Sequence, residues 1–350
     1  MNKLRNLFFS HKFISYYIVI GIISLLFELS IRKAFLFFFD KNYFINFLSF
    51  IFGLGLAFYL NIKYNFKLRK SFIVKSLIYF SLISLVSWFT QFYIKTIIIN
   101  INLQINLFNY ESLRLLISGF FFIIFYFFHL NISFKNRKKI GIAVYTNYER
   151  NIISSIYKTV DTIPDFIHID LVDKSFNKNA DTNDIGTINF IKKIWPKKNL
   201  DLHIMSDEPS LYLKQLKKGD INKIYFHQNI KENINDVIEL SKSICDKIGL
   251  AIFYNSNLNQ IKNINYKFNE FLVLCIDRPG TSGSMFQNSS FEKIKELENL
   301  YKNANICVDG GINKEIADKL DCEYIVSSSF IIKSTDPKES IYKLRHELFV

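Results

Sequence analysis

Four apolar stretches of about 18–20 residues, at 13–31, 44–62, 76–93 and 115–133, dominate the first third of the chain. As a helix, each is long enough to cross the hydrocarbon core of a bilayer. From Lys139 the pattern changes to short apolar, β-rich runs at 140–144, 166–170, 200–204, 223–226, 250–254, 271–276, 305–308 and 324–327. Amphipathic stretches with helical spacing fall between them, for example at 151–160, 231–244, 291–301 and 337–346. Eight strands, each with a following helix, in about 210 residues predict a (β/α)8 barrel rather than an open sheet. The pattern thus predicts two domains: an α-helical membrane domain of four transmembrane helices over 1–135, and an α/β TIM barrel over 136–350.

Charge separates the same halves. Of the formal +13, residues 1–135 carry +11 (14 basic, 3 acidic) and residues 136–350 carry +2 (30 basic, 28 acidic). The basic residues flank the apolar stretches: Lys3, Arg5 and Lys12 before the first, Lys63, Lys67, Arg69, Lys70 and Lys75 between the second and third, and Arg137, Lys138 and Lys139 after the fourth. The other two connections carry fewer, chiefly Arg32, Lys33 and Lys41, then Lys95 and Arg114. By the positive-inside rule this is a multi-pass inner-membrane protein with both termini in the cytoplasm. The long apolar runs exclude a purely soluble protein, and the absence of a basic stripe argues against nucleic acid as partner. No small-residue cleavage site follows the first apolar run, which therefore reads as a retained anchor. Cys245, Cys275, Cys307 and Cys322 have no metal or redox spacing and read as buried free thiols.

Within the spans, Glu28 either pairs or faces a cavity, or snorkels toward Arg32 one turn on. Gly53, Gly55, Ser118 and Gly119 are expected to allow close helix approach. The second span ends Asn61-Ile62-Lys63-Tyr64-Asn65-Phe66 and the fourth ends His129-Leu130-Asn131-Ile132-Ser133-Phe134. Four spans with two such ends resemble the GtrA family of small membrane proteins, over roughly residues 10–135. The second copy departs, with His129 at the Asn position and no basic residue inside the motif. The resemblance implies handling of polyprenyl-phosphate-linked sugars during cell-surface polysaccharide assembly, with the lipid bilayer as partner.

In the second half, three predicted strands end in ionisable residues: His168-Ile169-Asp170, Leu202-His203-Ile204-Met205 and Val308-Asp309-Gly310-Gly311. Residues two apart on a strand point the same way, so His168 and Asp170 share a face, on which His203 and Asp309 would converge. Two imidazoles and two carboxylates suit a divalent ion, with Zn2+, Fe2+, Mn2+ or Co2+ all compatible. Taken singly, each is as readily an ordinary polar residue at a strand end; four at matching ends favour a site.

These segments, with Asp170-Leu171-Val172-Asp173, Phe226-His227 and Pro279-Gly280-Thr281-Ser282-Gly283, resemble ribulose-phosphate 3-epimerase in order and spacing, over essentially 139–346. The resemblance implies metal binding by His168, Asp170, His203 and Asp309, with Asp170 and Asp309 also serving as acid and base. It implies substrate contacts from Met205, Gly280, Gly283, Gly310, Gly311, Ser328 and Ser329. Departures lie in the substrate shell. Ala143 stands where the family has a serine, Lys174 replaces a glycine, Arg278 replaces a small polar residue, and Ser328-Ser329 replaces Gly-Ser.

The leading expectation is a metal-dependent epimerase of a ketose phosphate, such as ribulose 5-phosphate, tethered to the membrane through 135–139 and serving surface-glycan synthesis. The alternative is a GtrA-like carrier whose altered barrel binds or senses a sugar phosphate. An aldolase or synthase of the same superfamily would not need His203 together with His168. A homo-oligomer is compatible with either reading.

Overall fold

The computed structural model describes residues 2–39, 43–66, 68, 72–105, 110–134, 138–280 and 283–345. The chain divides into two compact units, essentially 1–136 and 137–347.

The first unit is helical: α1 (Asn2–Phe38), α2 (Tyr43–Leu60), α3 (Ile73–Ile105) and α4 (Tyr110–Phe128). Three of its helical stretches are long and apolar enough to cross a membrane: Phe13–Phe38, Phe47–Asn65 and Ile73–Thr90. The fourth expected span is also helical, but its described apolar part, Gly119–Ser133, is shorter. Large side chains such as Val19, Leu26, Val74, Leu82 and Phe120 are more than half exposed, so these helices are apolar on their outward faces as well as where they pack.

Both α2 and α4 end in a π-helical turn, Asn61–Asn65 and His129–Ser133. The two turns are built alike. Each buries a polar pair four residues apart, with Asn65 Nδ2 donating to Asn61 Oδ1 (3.1 Å) and His129 Nδ1 lying 2.9 Å from Ser133 Oγ. The following residues, Phe66 and Phe134, stack at 4.3 Å. The two motif ends read from the sequence therefore meet in space. Glu28 is half-buried against Gly53 of α2, where an added Cβ would come within 2.9 Å of the Glu28 Cβ. Close approach is thus seen at Gly53. Gly55 and Gly119 face open space, contrary to expectation, and the Ser118 side chain lies outside the described residues. Lys41, Lys67, Arg69, Lys70 and Arg137, together with 135–136 of the expected tether, also lie outside them.

The second unit is a closed barrel of eight parallel strands in sequence order: β1 (Lys139–Tyr145), β2 (Phe166–Val172), β3 (Asn199–Met205), β4 (Lys223–His227), β5 (Lys247–Phe253), β6 (Glu270–Leu274), β7 (Asn305–Asp309) and β8 (Tyr324–Val326). The outer layer comprises α5 (Arg150–Val160), α6 (Gly186–Ile194), α7 (Ser210–Leu213), α8 (Ile234–Ile244), α9 (Ser290–Leu300), α10 (Lys314–Lys319), α11 (Ser329–Ile332) and α12 (Pro337–Arg345). A 310 turn, Leu258–Asn263, stands where a helix was expected after β5.

A strand covered on both faces is buried throughout, as β2 is, and it is apolar except for His168 and Asp170. Their outward side chains join helix residues such as Ile153, Ile156 and Val160, spaced for one helix face, in a single core. The interior is filled in layers. At its N-terminal end the Lys223 ammonium lies 2.7 Å from Glu270 and 3.8 Å from Asp201. Above that plug, Ala143, Phe166, Tyr225, Ala251, Leu272, Cys307 and Val326 pack together. At Gly141 a Cβ would meet the Phe166 ring at 2.4 Å, so a larger residue there would force that buried ring to shift. The packed lower barrel leaves the C-terminal mouth as the place for chemistry. All four cysteines are buried and free, as read from their spacing.

Candidate active site

Strand register sets the site. Asp170 pairs with His203 across β2 and β3, and with Tyr145 across β1 and β2. His168, two residues before Asp170, points to the same inner face, and Asp309 closes the ring from β7. One ligand atom from each of His168, Asp170, His203 and Asp309 lies within 4.8 Å of the others. Asp170 Oδ1 is 3.2 Å from His203 Nδ1 and 3.4 Å from His168 Nε2.

Whether these residues suit a cation can be judged from His168. It is fully buried, Nδ1 has no hydrogen-bond partner, and Nε2 meets only the Asp170 carboxylate, at 3.4 Å and without the alignment of a hydrogen bond. An unsatisfied buried donor or acceptor costs ~1–3 kcal/mol, so such an imidazole is poorly explained as core filling. As a ligand beside two carboxylates it is explained. Mixed nitrogen and oxygen donors fit a divalent transition ion or zinc.

The electrostatics separate the two carboxylates. Burial pushes Asp170 up, but His168 and His203 outweigh burial and hold it well below the usual range. Asp309 is pushed up to about 7, first by burial and then by the charge of Asp170. Burial lowers His168, yet Asp170 and the more distant Asp309 and Asp201 carboxylates leave it raised overall. His203 is lowered by burial, with only partial compensation from Asp170.

A cavity of about 50 Å3 opens above these groups. Asp170, Asp309, Met205, Gly280 and Gly283 line it. So do Gly310, Gly311, Ser328 and Ser329, which brings all seven expected substrate-contacting residues to one space. Thr281 and Ser282 lie outside the described residues. Gly311 has φ +68° and a Cβ there would strike the Phe286 backbone nitrogen at 2.4 Å, so the loop after β7 must carry glycine. Met205 packs with Val172, Leu274 and Ile276 as an apolar wall. Lys174 is exposed, and Asp173 organises its own loop by accepting from the Ser175 backbone N–H at 2.9 Å.

Two site residues were not singled out from the sequence. Tyr145 lines the cavity and is pushed far up by burial, then by Asp170 and Asp309, so its phenol stays neutral and able to donate. Its signal was the period-two spacing from Ala143. His227, at the end of β4, sits 3.0 Å from the far ring nitrogen of His203. In the sequence it stands out only as part of the Phe226-His227 motif.

A model of the ribulose-phosphate 3-epimerase family matches residues 143–332. The chain belongs to that family. Ribulose-phosphate 3-epimerase of Bacillus subtilis is 27% identical over 191 residues, covering 52% of this chain and 86% of that protein. The Methanocaldococcus jannaschii protein of the same name is 29% identical over 215 residues, covering 59% and 89%. That of Buchnera aphidicola subsp. Baizongia pistaciae is 30% identical over 164 residues, covering 45% and 71%. The barrel is accordingly an isomerase of the racemase and epimerase class. The family match lies entirely within the second unit.

Proposed function

We propose that the barrel is a metal-dependent 3-epimerase of a ketose phosphate, ribulose 5-phosphate or a close relative. The observation that carries this reading is the convergence of His168, Asp170, His203 and Asp309 within 4.8 Å beneath one cavity. Inverting a carbon beside a ketone needs a base on one face and an acid on the other. Asp170 on β2 and Asp309 on β7 approach from separate strands. One takes the proton from C3, the bonding pair moves toward the C2 carbonyl to give an enediolate, and the other returns a proton to the opposite face. A divalent cation held by the four residues supplies Lewis-acid stabilisation of the negative charge that develops on the substrate oxygens. Met205 and its apolar neighbours exclude water from the planar carbon. Gly280, Gly283, Gly310, Gly311, Ser328 and Ser329 bind the rest of the substrate, with the loops after β7 and β8 taking the phosphate.

The test is turnover of ribulose 5-phosphate to xylulose 5-phosphate by the detergent-purified chain loaded in turn with Zn2+, Fe2+, Mn2+ and Co2+. Activity with at least one ion is expected. Folded, metallated protein inert toward a panel of ketose phosphates overturns the reading.

We further infer that α1 to α4 span the inner membrane as four helices, with both termini cytoplasmic and the barrel tethered there. The exposed apolar helix faces and the basic flanks support this. The paired π-helical ends support a GtrA-like role with polyprenyl-phosphate-linked sugar, and with it a place in polysaccharide synthesis. Ala143, which brings no hydroxyl to the cavity, favours a second reading in which the barrel binds a sugar phosphate without turning it over. Saturable binding with no proton exchange is its signature.

A further inference from the structure

His203 is held from both sides. Its Nδ1 faces Asp170 Oδ1 at 3.2 Å, while its Nε2 faces Nε2 of His227 at 3.0 Å. Two ring nitrogens at that separation cannot both present lone pairs, so one of them carries the proton between them. Since Nε2 is taken up by His227 and Nδ1 is the nitrogen turned toward Asp170, another of the candidate ligands, the Nδ1 lone pair is the one available to a cation. The proton then belongs on Nε2, where His227 accepts it.

The His227 ring has little freedom to do otherwise. It is 1% exposed, and the rings of Phe176 and Phe253 each lie 4.8 Å from it, centroid to centroid. These apolar walls fix the ring plane and keep water from competing for the His203 proton.

Resting on the metal-site reading above, we propose that His227 is a positioning residue that accepts the Nε2–H of His203 and so fixes the tautomer and ring orientation in which Nδ1 grips the cation. Outer partners of this kind typically account for 10–100-fold in metal affinity. The role belongs to His227 and touches neither substrate nor cation.

The test is Co2+ titration of the full detergent-purified chain, read by affinity and by the visible ligand-field spectrum. His227→Phe, which keeps a ring and loses the acceptor, is expected to weaken Co2+ about 10–100-fold and to alter the spectrum. His227→Gln, whose amide oxygen can accept the same proton, is expected to stay within about threefold of wild type. Equal affinity in wild type and His227→Phe, or equal losses in the two variants, overturns the proposal and leaves the metal site standing. Wild type that binds no Co2+ overturns both. Should the variants fail to fold, long-range 1H–15N spectra of the histidine-labelled, zinc-loaded wild type decide the matter. The Nε2–H tautomer at His203 is expected, and an Nδ1–H tautomer overturns the assignment.

Discussion

Asp170 and His203 occupy the same register level of adjacent parallel strands, and their side chains meet 3.2 Å apart inside the barrel. Neither position is adjustable by one residue. A single-residue slip of either strand would turn its inward side chains into the helix-facing core. The site is therefore as rigid as the barrel that carries it.

Removing a ligand should remove the ion. One equivalent of divalent metal per chain is expected by elemental analysis after loading and desalting. His168→Ala should fall well below that, with turnover lost in parallel. Chelation of wild type should abolish turnover and re-addition should restore it. Full occupancy in His168→Ala would show that this buried imidazole, which makes no aligned hydrogen bond, serves some other purpose.

Tyr145→Phe removes one oxygen from the cavity and little else. Because the neutral phenol lies close enough to Asp170 and Asp309 to feel both charges, we expect it to donate a hydrogen bond to the substrate oxygens. A hydrogen bond to a charged group contributes ~1.5–3 kcal/mol, so kcat/KM should drop about 10–100-fold while metal affinity is unchanged. Installing the missing hydroxyl one layer down, as Ala143→Ser in the same chain, should recover part of the loss. Unaltered steady-state kinetics in Tyr145→Phe would remove the phenol from the substrate shell.

The plug beneath the site should govern alkaline stability. Burial lowers the Lys223 ammonium, but Asp201 and Glu270 outweigh burial and leave it raised. Its contribution is therefore intact below the ordinary lysine value of about 10.4 and is lost as pH rises through the raised folded-state value. Lys223→Met should cost roughly 3–5 kcal/mol at neutral pH by leaving buried carboxylates unpaired. It should also flatten the fall in barrel melting temperature above about pH 10 that wild type shows by near-ultraviolet dichroism. A wild-type melting temperature constant through that range would contradict the assignment.

The barrel was legible because its signals are local. Eight short apolar runs separated by helical patterns mark every strand, with ends that differ by at most three residues, and period-two alternation brings His168, Asp170, His203 and Asp309 to one face. What escaped were relations that depend on three dimensions. His227 reaches His203 only because the twisted strands bring the end of β4 beside the middle of the site. Tyr145 acquires its significance from Asp170 on the neighbouring strand and from Asp309, which only closure of the barrel through β8 brings near. In the first unit, apolar composition revealed the helices but not the π-helical turns, since no residue type announces them. Nor did it show that Gly53, rather than Gly55, takes the close contact.

In the proposed reaction two carboxylates move a proton on and off one carbon. Incubated in D2O with ribulose 5-phosphate, the metal-loaded full chain should incorporate deuterium at C3 and at no other carbon. Asp309→Asn should slow epimerisation by about 100–10,000-fold, the usual range for removing a general acid or base. Xylulose 5-phosphate formed without deuterium at C3, or at the wild-type rate in Asp309→Asn, would exclude proton transfer by these two carboxylates.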